Sequence, residues 1–217
     1  MASSRYNYIL SICKARETLL ELLGNRGFKV EKYSGYSKNE IDTMAQHNTL
    51  DMLVTDNDEA PTKKMYIKFS LEKTVNAAEM ENIMQDLYEN ADDTYKLGNN
   101  PEDGIVVVVA DEPNKKSLTF LSEVFKLRGR FITLINIKRL QFNVLKHELQ
   151  PKEIHILTVE ERDDVMRSFN VASLDQLPEI SRFDPLAMAL FLRPGQVCKM
   201  VRNSPTALSV PYYRACS

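Results

Sequence analysis

The sequence contains little of the material from which cofactor and metal sites are commonly built. Of its 217 residues only seven are glycine, three cysteine and three histidine. Cys13, Cys198 and Cys216 are odd in number and widely spaced, so they predict neither a disulfide framework nor a zinc site. The phosphate-loop, dinucleotide-binding and H-E-x-x-H zinc motifs are all missing. We therefore predict no cofactor and no metal.

Long apolar runs are also missing. The longest cover residues 105–110 and 186–192, and neither approaches the roughly 20 residues that a membrane-spanning helix needs. The opening stretch MASSRYNYIL lacks the apolar core of a secretory signal. Together with the few scattered cysteines, this predicts a protein of the cytoplasm or nucleus without membrane contact.

The chain has no strong excess of either charge. Its net charge is −2 and its pI about 6.0, so it has no overall attraction to nucleic acid. The distribution is uneven, however. Residues 75–103 carry eight acidic side chains against one lysine, whereas residues 115–139 carry seven basic side chains against one glutamate. These segments are either solvated helix faces or, for the second, a basic edge beside a polyanion.

The first 140 residues or so predict an α/β layer. Apolar residues recur with helical spacing between residues 9 and 23, and they alternate in 50–54 and 65–69, which favours a β-hairpin. Phe28 and Val30 suggest a further short strand. The run IVVVVA is typical of a strand covered on both faces, and FITLINI of another, with a helix after Pro113 between them.

The remaining residues predict a smaller mixed unit. Residues 142–144 and 154–156 are interpreted as short strands. Thr158 and Glu161 form a capping box, and Asp184 begins a second helix that the Pro194–Gly195 pair ends. The segments QVCKMVR and SVPYYR are predicted strands joined by NSPTAL. Pro211 interrupts the last one, so an edge position or a bulge is expected.

One constellation in the first domain suggests catalysis. Metal-dependent nucleases place an Asp before a hairpin whose second strand ends in a Lys, and Asp51 and Lys68 have these positions. The Glu expected two residues before the Lys is Tyr66. A phenol, with a pKa of about 10, is a poor substitute for a carboxylate ligand of Mg²⁺. We therefore predict no catalytic residues.

The C-terminal segments resemble a known family. KHELQPK, LPEISRFDPLA, GQVCKMVRNSPT and YYR have the order and nearly the spacing of the assembly domain of the RNA polymerase subunit shared by nuclear polymerases I, II and III, a domain that is the whole of the archaeal counterpart. More faintly, KARETLLELLGNRGFKV, MYIKF and DGIVVVVADEPNKKSLTFL are similar to that subunit's jaw domain. The resemblance implies a nuclease-like α/β jaw domain at 1–142 and a small mixed α/β assembly domain at 143–217.

Family motif positions transfer to this chain residue by residue. The candidate assembly or fold residues are His147, Pro151, Pro178, Asp184, Pro185, Gly195, Gln196, Arg202, Ser204, Thr206, Tyr213 and Arg214, together with the motif positions Leu149, Leu177 and Ile180. Lys115 and Lys116 match the DNA side of the jaw, so they are the candidate DNA-proximal residues.

The chain departs from the family pattern at several of these motifs. Glu153 stands where a second His is expected, Phe191 where a Gly is expected, and Pro194 where a basic residue is expected. The usual S-E-T is S-P-T, with Pro205 in the middle. These departures fit a divergent copy, encoded by a large DNA virus or by a divergent protist, and the sequence leaves that choice open.

The resemblance implies a non-catalytic subunit of DNA-directed RNA polymerase. Its partners would be the largest subunit and other subunits, downstream DNA bound without sequence preference, and transcription factors. Its location would be the nucleus in a cell, and a cytoplasmic factory or the virion for a virus. Two alternatives stay open at this point, a free-standing nuclease-like DNA-binding protein and a transcription-factor adaptor that uses the acidic helix near residues 79–93.

Overall fold

A computed structural model describes residues 2–56, 61–71, 75–90, 97, 100–151, 153–204 and 206–217. The chain forms two compact units, Met1–Phe142 and Asn143–Ser217. Each unit has helices and a β-sheet of its own, so the predicted α/β class is confirmed. Among the helices in these ranges, none is long and apolar enough to cross a membrane.

The first unit alternates helices and strands. Its elements are α1 (Ala2–Asn25), α2 (Lys38–Gln46), β1 (Met52–Thr55), β2 (Lys64–Ser70), α3 (Ala77–Gln85), β3 (Gly104–Val109), α4 (Lys115–Arg128) and β4 (Phe131–Asn136). One π-helical turn, Asp86–Asn90, continues α3.

The sheet of the first unit has the strand order β1-β2-β3-β4. β1 and β2 form the predicted antiparallel hairpin. β2, β3 and β4 are parallel, which requires crossover connections, and α3 and α4 lie in those connections. Every residue of β3 and β4 is buried, as their continuous apolar runs predict.

Gly104 begins β3 where the neighbouring strands leave no room for a side chain. A Cβ at this position would come within 2.9 Å of Phe131 Cδ1 and 3.0 Å of Met65 Sδ. Both neighbours are buried. Glycine therefore permits the close packing at this end of the sheet.

Two short strands predicted from alternation are wrong. Near Phe28 the chain makes only an isolated bridge between Lys29 and Thr55. Val144–Lys146 is a turn of 3-10 helix, and Phe142 is exposed. Two alternating apolar residues do not specify a strand, because a strand also needs a neighbour with free backbone groups.

The second unit is built around a long hairpin. Its elements are β5 (Glu153–Ile156), α5 (Val159–Ser168), β6 (Glu179–Ile180), α6 (Pro185–Ala189), β7 (Val197–Ser204) and β8 (Leu208–Cys216). The strand order is β5-β7-β8-β6. β7 is antiparallel to both β5 and β8, as the predicted hairpin requires, and β6 is parallel to β8.

Both predicted helix starts of the second unit are confirmed. Thr158 and Glu161 form a reciprocal capping box at the start of α5. The Asp184 side chain accepts a hydrogen bond from the Leu186 N–H, and Pro185 is the first helical residue of α6. These residues satisfy backbone donors that the first helical turn leaves free.

The predicted end of α6 at Pro194 is wrong, because the helix ends at Ala189. Phe191 then adopts a φ of 50°, in the left-handed region where the helix cannot continue. This is the position where the family resemblance expects glycine, the residue that adopts such a φ without steric cost. Phe191 is nevertheless only 1% exposed.

The core of the second unit already contains the apolar side chains of β7. Val197, Cys198 and Met200 are all buried. Cys198 and Met200 pack with Leu190 and Ile180. The unit's own helices and strands therefore cover most of the apolar surface of QVCKMV.

Pro211 lies within β8 without breaking the strand. β6 pairs only with Ala215 and Cys216, so Pro211 faces Val201 on one side and no described strand on the other. The Cys216 N–H donates to the Gln196 carbonyl, toward β7. Because N–H groups alternate in direction along a strand, position 211 points away from β7, and the missing N–H costs no ladder hydrogen bond.

Candidate functional site

Asp51, the carboxylate of the nuclease-like layout, contacts three protein donors. Its Oδ2 accepts from the Tyr66 hydroxyl (3.1 Å) and lies 3.5 Å from Lys68 Nζ. Its Oδ1 accepts from the Phe69 N–H at 2.9 Å. In the nuclease layout, a second metal ligand would lie beside Asp51. In this chain the residue at that position is Tyr66, which instead donates a hydrogen bond to the Asp51 carboxylate.

The pocket next to Asp51 also contains an acid that sequence reasoning missed. This pocket, of about 240 Å³, is lined by Lys68, Asn48 and Glu79 as well. Glu79 lies in the first turn of α3, after the N-cap Asn76, and the sequence placed it only on an acidic helix face. In the described part of the chain, no group of three or more potential ligands could hold a metal ion.

Lys115 and Lys116 occupy the exposed first turn of α4. Asn114 caps the helix by accepting from the Ser117 N–H at 2.8 Å. This turn contains no acid, although the positive end of the helix dipole favours acids and disfavours lysine. Two cations at this position are therefore not explained by helix stability.

Part of the basic segment is neutralised within the first unit. Arg128 pairs with Glu81 at 2.6 Å, and Arg139 with Glu112 at 3.1 Å. Over the described ranges, four lysines of the segment form no ion pair: Lys115, Lys116, Lys126 and Lys138.

Several motif residues of the second unit shape its turns. His147 Nδ1 accepts a hydrogen bond from the Leu149 N–H at 3.2 Å. The His147 carbonyl accepts one from the Gln150 N–H at 2.9 Å. Pro151 is buried. The H-x-L-x-P motif therefore fixes the chain before β5.

Other motif residues hold the ends of the sheet together. The Pro178 carbonyl accepts from the Ala215 N–H at 2.9 Å. Gly195 has a φ of 88°, and its N–H donates to the Cys216 carbonyl at 2.9 Å. The Gln196 side chain accepts from the Arg193 N–H at 3.0 Å. Together with the Asp184–Pro185 cap, these residues serve the fold.

Arg202 and Arg214 are brought together by Tyr212, which sequence reasoning missed. The Arg202 guanidinium carbon lies 4.2 Å from the centroid of the Tyr212 ring, and that of Arg214 lies 6.0 Å from it. The Tyr212 hydroxyl contacts Met200 Sδ at 2.9 Å. Arg214 Nε is buried and has no acceptor among the described residues. We call these three side chains the Arg–Tyr–Arg cluster.

The remaining motif residues are placed apart from this cluster. Tyr213 points to the other sheet face, where its ring lies 5.6 Å from that of Phe169. Ser204 and Thr206 bond to each other at 3.2 Å near the tip of the hairpin.

A cleft of about 440 Å³ opens beside the hairpin, and we call it the hairpin cleft. Loop residues before β5 form one wall, and the strands supply the floor. It is lined by Glu148, Leu149, Gln150, Pro151, Glu153, Val201, Arg202, Asn203 and Ser209.

Comparison with known proteins matches the second unit to a described family. The family "RNA polymerase Rpb5, C-terminal domain" covers residues 142–216. The "DNA-directed RNA polymerase subunit Rpo5" of Thermococcus onnurineus (strain NA1) is 40% identical over 74 residues, which are 34% of this chain and 88% of that protein.

Two eukaryotic relatives match nearly the whole chain. The "DNA-directed RNA polymerases I, II, and III subunit RPABC1" of Caenorhabditis elegans is 26% identical over 212 residues, 93% of each protein. The protein of the same description from Dictyostelium discoideum is 26% identical over 208 residues, 94% of this chain and 96% of that protein. The similarity therefore extends across both units.

Proposed function

The chain belongs to the Rpb5 family of RNA polymerase subunits, and we propose that it is a non-catalytic subunit of a DNA-directed RNA polymerase that docks on the largest subunit. Its partners are then the other subunits of that enzyme. Such a subunit works in the nucleus of a cell, or in a cytoplasmic factory or the virion if a virus encodes it. Transcription factors are further partners in this proposal.

One observation carries the choice of the docking unit. The archaeal relative aligns with 74 residues of this chain, and these make up 88% of its length. That subunit is therefore little more than the counterpart of the second unit. If both proteins are subunits of comparable enzymes, the shared part must contain the attachment surface. The second unit, residues 143–217, is accordingly the proposed anchor.

The Arg–Tyr–Arg cluster is the proposed contact on this unit. No acidic side chain follows Asp184 in the sequence, so the hairpin has no carboxylate of its own beside the two guanidiniums. The planar guanidinium of arginine suits bidentate contact with a carboxylate. Arg202 is exposed, so a carboxylate of the partner can reach its guanidinium.

The first unit is proposed to lie beside downstream DNA. Lys115 and Lys116 are exposed, unpaired in the described part of the chain, and unfavourably placed for helix stability. Contact with phosphates would explain them, since phosphate contacts need positive charge but read no sequence.

A free-standing DNA-binding protein is the second candidate, because Asp51, Lys68 and Glu79 share one pocket. The Asp51 carboxylate already accepts from Tyr66 and Phe69, and this supports a site without catalysis. Purified chain with Mg²⁺ or Mn²⁺ should leave DNA intact, whereas cleavage that disappears in Lys68→Ala would favour a nuclease.

The adaptor alternative rests on residues 79–93, of which residues 91–93 lie outside the described ranges.

Affinity purification tests the proposed function. The full-length chain, tagged and expressed in its source, should co-purify with two very large polymerase subunits. Residues 143–217 should do the same, because this unit has its own core, and residues 1–142 should not. Circular dichroism should first confirm that the fragment folds.

A substitution tests the cluster within the same experiment. Arg202→Ala should weaken association by about 2 kcal/mol, roughly 30-fold, as removal of a desolvated interface arginine does. Arg167→Ala is the matched control, because Arg167 is exposed on α5 and pairs only locally with Asp164. If residues 1–142 bind the large subunits while the fragment fails, the first unit is the anchor and the proposal is wrong.

A further inference from the structure

The hairpin cleft exists because β7 is longer than its neighbour β5. β5 pairs with β7 only from Cys198 to Val201, whereas β7 continues to Ser204. Beyond Val201, β7 is therefore paired only with β8 among the described strands, and β5 does not extend beside it. The loop that contains Leu149 forms the opposite wall of this space.

The open space exposes backbone groups to the cleft. The Leu157 N–H donates to the Val197 carbonyl, so the odd-numbered residues of β7 direct their N–H and C=O groups toward β5. Because this direction alternates along a strand, Asn203 also points toward the β5 side, at a level that β5 does not reach. The Asn203 backbone groups therefore face the cleft, where an extended segment could pair with them.

The floor and wall of the cleft supply apolar surface. Glu153 lies opposite Val201, and Asn203 lies opposite Ser209, so these four side chains share one face of the sheet. Leu149 is 87% exposed on the wall. An exposed leucine beside a half-buried valine provides a place for one apolar side chain.

The cleft also contains two acids without a counter-ion among the described residues. Glu148 and Glu153 are exposed, and neither has a hydrogen bond or an ion pair with another described side chain. Lys152 lies between them in the sequence and is outside the described ranges. Arg202 also lines the cleft, but its guanidinium is stacked on Tyr212, and its side chain leaves β7 on the sheet face opposite to Glu153. The two carboxylates therefore favour a basic group in the cleft.

We propose that the hairpin cleft receives an extended segment of the largest polymerase subunit, with a lysine or arginine side chain at Glu148 and Glu153 and an apolar side chain against Leu149 and Val201. This inference rests on the proposed function and names a second contact, of opposite charge to the Arg–Tyr–Arg cluster. Glu153 stands where the family resemblance leads us to expect a second His, so the proposed contact uses a residue at which this chain departs from that pattern.

Salt-dependent co-purification of the full-length tagged chain with the polymerase tests the charge. Glu148→Gln with Glu153→Gln should weaken association by about tenfold at low salt, because two charge pairs are removed, and it should lower the NaCl concentration that releases the large subunit. Glu160→Gln with Asp164→Asn is the matched control on α5. It removes two exposed carboxylates of the same unit and should change neither value.

Cross-linking tests the position of the segment. Leu149→Cys can be labelled with a thiol-directed photocrosslinker, because Cys13, Cys198 and Cys216 are all buried. The cross-linked peptide of the largest subunit should contain lysine or arginine close to the attachment point. A cross-linked peptide without a basic residue overturns the inference but leaves the proposed function standing. The same holds if the glutamine double variant binds as tightly as the wild type. Failure of the wild-type chain to bring down the large subunits overturns the proposed function as well.

Discussion

Among single residues, Phe191 combines an unfavourable backbone conformation with a buried ring. A non-glycine residue in the left-handed region costs roughly 1–2 kcal/mol. Phe191 has this unfavourable backbone conformation, and its ring is buried in the second unit. A buried phenylalanine contributes about 3–5 kcal/mol relative to alanine, so burial outweighs the backbone strain.

Two substitutions separate these contributions. Phe191→Ala should lose the buried ring and keep the strain, whereas Phe191→Gly should lose the ring and relieve the strain. Both should be less stable than the wild type to urea, with the glycine variant more stable than the alanine variant by about 1 kcal/mol. An alanine variant as stable as the glycine variant would show that position 191 is not strained.

At the scale of elements, the start of α4 combines good capping with unfavourable charge. Asn114 satisfies a free N–H group, while Lys115 and Lys116 oppose the helix dipole. By contrast, α2, α3 and α5 each have an acidic residue in the first turn. This helix start is therefore the element whose sequence is best explained by a ligand, and the proposed ligand is DNA phosphate.

Changing both lysines should weaken DNA binding without harming the helix. Lys115→Ala with Lys116→Ala should reduce the slope of log K against log salt by about one unit for each phosphate interaction that is removed. The melting temperature should stay the same or rise slightly, because the unfavourable dipole interaction is removed. Lys126→Ala, at the other end of α4, is the control. Unchanged salt dependence in the double variant would refute the DNA assignment.

For the molecule as a whole, buried cysteine thiols make stability depend on alkaline pH, and the second unit contains two of them. Burial raises the pKa of Cys198 to about 11 and that of Cys216 to about 12, from an ordinary value of 9.0. The folded second unit therefore keeps both thiols protonated at a pH where the unfolded chain would ionise them. The stability that this protonation contributes is fully present below pH 9.0 and is lost as the pH rises toward 12.

The contribution of the thiols can be measured by difference. The double variant Cys198→Ala with Cys216→Ala should lose less stability between pH 9 and 11 than the wild type, when both are unfolded by urea at each pH. Below pH 8 the two stability profiles should run parallel, because no thiol titrates there in either state. Parallel profiles up to pH 11 would mean that the buried thiols do not control alkaline unfolding.

Local spacing and capping chemistry specify the features that depend on neighbours along the chain. The hairpin of β1 and β2, the buried run of β3, the capping box at Thr158 and the start of α6 at Asp184 all follow from spacing or capping chemistry. The order of the C-terminal motifs also identified the family. Local patterns are sufficient here because each depends on residues a few positions apart.

Three-dimensional packing, by contrast, determines which motif residues are exposed. It buried Cys198 and Met200, ended α6 before Pro194, and placed Tyr212 between Arg202 and Arg214. It also left β7 longer than β5, which opened the hairpin cleft. These features depend on the register of strands far apart in sequence, and the alternation of one strand does not specify the register of its neighbour.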